Sequence, residues 1–149
     1  PHKLAKTHIW LISAMVIADA IAVSANTIEG MCALRIDREN GVVTPVLRIG
    51  LDASARNVIL WVAAIDIVAA IQFGDLGLKI AGTSLPVIVL WVPVLACSAV
   101  VVLAIRRSRP SPDGYGRALI AQRVLAVVVA VCMIVAIHSD TVRVEALLS

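Results

Sequence analysis

Apolar residues run along this chain in four long blocks separated by polar connectors. The blocks cover Ile9 to Thr27, Val58 to Gly74, Leu85 to Ile105 and Ala118 to His138. A hydrocarbon core about 30 Å thick needs about 20 helical residues to cross it. Each block is close to that length, so four transmembrane helices are predicted over 9–27, 58–74, 85–105 and 118–138. The second could extend to Leu78, with Asp75 marking an interface. The first is read as a retained helix rather than a cleaved leader. The expected fold is an all-α integral membrane protein, one polytopic membrane domain over 1–149.

Only one connector is long, Ile28 to Asn57. Within it Leu34 and Ile36 alternate with Arg35 and Asp37, a period of two. Asn40-Gly41 follows, a dipeptide suited to a tight turn. A small β-hairpin over 32–49 is therefore expected, with Pro45 making its second strand an edge strand. A lone two-stranded hairpin is marginal without something to pack on. Arg35, Asp37, Arg38 and Glu39 are thus candidates for binding a partner protein. Residues 50–57 are expected to form a short interfacial helix. The third block carries Pro86, expected in a first turn capped by Ser84, and Pro93, expected to kink the helix interior.

Composition strengthens the membrane reading. The 149 residues are 60% hydrophobic and 15% charged, with mean hydropathy +0.97. Soluble domains are about 45–50% apolar and about 25% charged. A 15.7 kDa globule could not bury this surplus, and disorder requires the opposite composition. Aromatic residues make up only 3%. Close packing must therefore use small side chains, such as Ala14, Ala18 and Ala22 at helical spacing on the first helix and Ala126 and Ala130 on the fourth. This predicts a tight bundle with little internal volume.

The net charge of +3 comes from thirteen Lys and Arg that sit mostly in connectors, which gives topology rather than a nucleic-acid surface. Arg35, Arg38, Arg48, Arg56, Arg106, Arg107, Arg109 and Arg117 fall on one side. Lys3, Lys6, Lys79 and Arg143 fall on the other. The positive-inside rule then puts loops 28–57 and 106–117 in the cytoplasm and both termini outside. Arg106, Arg107, Arg109 and Arg117 suit anionic lipid head groups. Arginine outnumbers lysine ten to three, as in GC-rich genomes, which fits a bacterial plasma membrane.

Candidate chemistry is confined to polar residues inside the blocks. Ionisable groups in lipid are costly and point to function by default. Asp19, Asp66 and Arg123, with Gln122 adjacent, are expected to form an intramembrane network, either a structural ion pair or a proton relay. The cheapest arrangement pairs Arg123 with Asp66 and leaves Asp19 protonated or sharing the network. Small four-helix multidrug exporters also carry one carboxylate in their first span, but the thirty-residue connector and Arg123 depart from that pattern. Ser13, Ser24 and Ser98 are expected to bond to their own helix carbonyls. His8 and His138 would share one membrane face, which makes them weak candidates for haem b ligation. Three cysteines without a CxxC argue against redox exchange or a cysteine metal site.

No catalytic motif is found: there is no HExxH, phosphate loop or nucleophile set. The expected role is a small non-catalytic subunit of a larger membrane complex, with other membrane subunits and lipid as partners and no cofactor. A homo-oligomeric transporter using Asp19 and Asp66 is the alternative, and a haem- or quinone-associated respiratory subunit the second.

Overall fold

The structure is a computed structural model that describes residues 2–74, 77–80, 83–108 and 112–148, with side chains described over 10–73, 89–108 and 114–138. Its helices are α1 (His2–Glu39), α2 (Pro45–Ile49), α3 (Leu51–Gly74), α4 (Trp91–Ser108) and α5 (Gly116–Leu148). Strands β1 (Gly77–Ile80) and β2 (Thr83–Pro86) pair antiparallel between α3 and α4. Short 3-10 turns, Val87–Leu90 and Pro112–Tyr115, lead into α4 and α5.

Four of the helices are long and apolar enough to cross a membrane: Trp10–Glu39, Leu51–Phe73, Trp91–Ser108 and Gly116–His138. They pack as a ring: α1 on α3, α3 on α4, α4 on α5 and α5 back on α1. The buried positions of α1 (Ile17, Ala20, Ser24, Ile28 and Met31) recur every three or four residues and face inward. The outside stays apolar. Leu60 and Ile71 are each 68% exposed and Ile134 is 66% exposed. An apolar exterior of this extent belongs in lipid rather than water, which is the architecture of a multi-pass membrane protein.

The expected hairpin over 32–49 is absent. Helix α1 instead continues through Glu39, about 57 Å in all at 1.5 Å per residue. Met31 is buried three residues after buried Ile28, while Ile36 is 60% exposed, so the alternation of Leu34 and Ile36 does not mark a strand face. Arg35 and Glu39, expected on a hairpin, form an i,i+4 ion pair at 3.2 Å on the helix surface. Asn40-Gly41 ends the helix rather than turning a hairpin. Gly41 has φ 69°, the Val42 N–H donates to the Asp37 carbonyl at 2.9 Å, and the Gly41 N–H faces the Arg38 carbonyl at 3.4 Å. This is a left-handed C-terminal cap. The same dipeptide suits both devices, because both need positive φ.

Pro45 opens a helix rather than an edge strand. Thr44 caps α2, its hydroxyl accepting from the Leu47 N–H at 3.4 Å, and Pro45 occupies the first turn, where no donor is required. α2 lies across α1 at Gly30. A Cβ there would sit 2.9 Å from Val46 Cγ2, so the crossing needs glycine. Gly50, with φ 83°, links α2 directly to α3, and the expected separate helix over 50–57 is the start of α3 itself. Pro93 is the third residue of α4, not an interior kink, because the helix begins at Trp91. Ser84 lies in β2 rather than at a helix cap.

Candidate functional site

Polar side chains inside the bundle join neighbouring helices one seam at a time. Between α1 and α5, Gln122 Nε2 donates to Ser24 Oγ at 2.6 Å, and both residues are fully buried. Ser24 in turn donates to the Ala20 carbonyl at 2.7 Å, as expected for a helical serine. Between α1 and α3, Gln72 Nε2 donates to the Trp10 carbonyl at 3.3 Å. Between α3 and α4, Ser98 Oγ donates to Asp66 Oδ1 at 2.8 Å, so this serine leaves its own helix backbone for a neighbour. Interhelical hydrogen bonds of this kind hold membrane bundles together where apolar burial gives no driving force.

The expected pairing of Arg123 with Asp66 does not occur. Arg123 Nη2 instead contacts Glu29 Oε1 at 3.2 Å, on the outer edge of the α1–α5 seam. The reason lies in the extension of α1. Hydropathy places Glu29 in the connector 28–57, yet it is one of the helical residues of α1 and lies about 28 Å along the helix from Trp10. This brings a carboxylate, just past the apolar block that ends at Thr27, beside α5. Asp66 keeps its distance of about 12 Å from the far end of α3 at Gly74, and the extra helical turns lie on the other side of it. α3 starts at Leu51, so Asp66 lies about 22 Å from its beginning.

Asp66 is half-buried beside a groove of about 370 Å³ between α3 and α4. Val62, Leu95 and Val102 contribute apolar walls, and Arg106 stands about 12 Å along α4 from Ser98. The groove thus joins a polar pair deep in the span to a guanidinium near the membrane edge. Arg106 and Arg107 lie in the last turn of α4, and both are exposed, as is Arg117 at the start of α5. Arg109 lies outside the described residues.

Asp19 belongs to neither arrangement. It sits about 14 Å along α1 from Trp10, close to the middle of the span 9–27 that hydropathy predicts, and points away from the bundle. Met15, Ala22 and Asn26 share its face, and all four are exposed. Among the described residues no cation or hydrogen-bond donor meets Asp19, and Asn26 likewise has no described partner. Ala18 and Ala22, expected to bring helices together within the bundle, are also exposed on this outer side. The internal contacts use Ala20, Ala55, Ala69, Ala118 and Ala136 instead.

Four contributors escaped the sequence reading: Glu29, Gln72, Ser24 as an interhelical acceptor, and Asn26. Asn26 lies seven residues from Asp19, the spacing of two helical turns, and that spacing was a usable signal. His138 is exposed at the end of the described α5 side chains, and His8 lies outside the described side chains. Cys132 is buried, Cys32 and Cys97 are partly buried, and all three are free thiols. No group of three or more His, Cys, Asp or Glu residues is positioned to hold a metal among the described residues. Comparison with family models, curated proteins and solved structures finds no match for this chain.

Proposed function

We propose that this chain is a small non-catalytic subunit of a larger membrane protein complex, seated through the outward face of α1. The carrying observation is Asp19, exposed at mid-span on a face it shares with Ala22 and Asn26. A carboxyl group in the hydrocarbon region is rare on a lipid-facing surface and normally finds a partner within protein. The small side chains beside it allow another helix backbone to approach closely. On this reading the membrane is a bacterial plasma membrane. Loops 28–57 and 106–117 face the cytoplasm, and Arg106, Arg107 and Arg117 meet anionic head groups. The hairpin has no part in it, because residues 32–39 and 45–49 are helical.

Gentle detergent extraction followed by native mass measurement tests this role. A complex containing other polypeptides is expected, and Asp19→Leu should release this chain from it. A monomer, or an assembly of this chain alone, would overturn the reading.

A second reading is favoured by the groove at Asp66. A carboxyl group that opens onto a groove leading toward Arg106 has the placement needed to bind and release a cation or proton from one side. In liposomes containing the purified chain, Asp66→Asn would then abolish pH-driven flux. Absence of flux in the wild type would remove this reading.

A further inference from the structure

We infer that the outward face of α1 receives a membrane-spanning helix that carries a lysine or arginine at mid-depth. This rests on the subunit reading above and names the chemistry of the partner. Asp19 and Asn26 lie on one face about 10 Å apart along α1, with Ala22 between them. Two polar side chains on a lipid-exposed stripe, separated by a small residue, form a track for one close-packed helix. The carboxylate calls for a positive partner, because lipid offers none at that depth. Asn26 can donate to, or accept from, a second polar group on the same helix.

The chain does not supply the missing charge itself. Arg123, the guanidinium of α5, lies beside Glu29, about 15 Å along α1 from Asp19, and so does not reach its depth. A second copy does not supply it either. A two-fold contact through this face would set Asp19 against another Asp19 at the same depth, where the two carboxyls cannot both stay ionised and could meet only by sharing a proton. Charge complementarity therefore selects a different, basic helix.

The test uses the full chain in lipid nanodiscs and three synthetic spanning peptides. The peptides are identical Leu/Ala sequences except for a central Lys, Gln or Leu, and association is read by energy transfer between labels. The Lys peptide is expected to bind about 3- to 30-fold more tightly than the Leu peptide, the range of measured interhelical polar contacts. Asp19→Asn should remove that preference and Asp66→Asn should leave it intact. Asp19 has no described partner within the chain, so its substitution does not disturb the bundle. Equal binding of all three peptides would overturn the inference, as would a Gln peptide that matches Lys or a preference that survives Asp19→Asn. Asp19-dependent dimers of the chain alone, counted by photobleaching steps in the nanodiscs, would also overturn it in favour of a second copy. The subunit reading fails separately, through the native mass measurement. A mixed complex with no basic residue in any partner span sinks only the inference. A chain that prefers the Lys peptide but is extracted alone sinks only the subunit reading.

Discussion

Gln122 of α5 donates its amide N–H to the hydroxyl of Ser24 on α1 at 2.6 Å, in a position sealed from the exterior. The two residues are 98 positions apart in the chain, so this bond closes the ring of helices between its first and last members. The other amide atom, Oε1, is buried without a hydrogen-bond partner among the described residues.

That asymmetry makes the two halves of the pair unequal. Ser24→Ala strands a buried donor and should cost about 1–2 kcal/mol. Gln122→Leu removes the donor together with the unpartnered oxygen and keeps the volume similar. Ser24 still has the Ala20 carbonyl. Its cost should stay below about 0.5 kcal/mol. Reversible unfolding in mixed detergent micelles checks the order. Equal losses would contradict the geometry.

The crossing of α1 and α2 depends on Gly30. A methyl group there meets Val46 Cγ2 at 2.9 Å, and valine cannot swing its branched side chain away cheaply. Gly30→Ala should destabilise by about 1–3 kcal/mol. Adding Val46→Ala should recover part of the loss. A double-mutant cycle showing no coupling would place α2 elsewhere.

Helix and hairpin differ in period over residues 32–39. Nitroxide labels placed one at a time along this stretch should show mobility and solvent access that repeat every 3.6 residues. A period of two would restore the hairpin. Ile36→Pro should interrupt the helix, at a local cost of about 3 kcal/mol, while Ile36→Ala should change little at this exposed site.

The Arg123–Glu29 contact is largely exposed, 69% and 50% for the two side chains, so solvent and head groups screen it. Glu29→Gln should therefore cost less than about 1 kcal/mol. The loss should shrink further in high salt. A larger, salt-insensitive loss would mean that the pair is shielded by lipid or by another chain.

The polar residues were visible in the sequence, but their grouping was not. Asp19, Asp66, Gln122 and Arg123 all stand out against apolar runs, and their depths follow from counting residues. Hydropathy ended the first span at Thr27 because Glu29 and the arginines beyond it are costly in lipid. The helix itself continues, since a helix does not stop where a membrane does. Once Glu29 lies on that helix, Arg123 has a nearer partner than Asp66. Ser98 then becomes the described partner of Asp66, which a single chain of letters does not reveal.

Four apolar blocks and their lengths were enough to predict a helical chain with four helices able to cross a membrane. Those properties depend on transfer into lipid and on local spacing, and both are written along one strand of sequence. Which face of each helix turns inward was decided only by tertiary packing. Ala18, Ala22 and Asp19 look from the sequence like bundle-lining residues, yet they face outward. The inward side is set by Ile17, Ala20, Ser24 and Ile28 meeting α3 and α5. In lipid, both faces of a helix can be equally apolar. The hydrophobic pattern therefore no longer separates inside from outside, and the choice falls to shape and to a few hydrogen bonds across the seams.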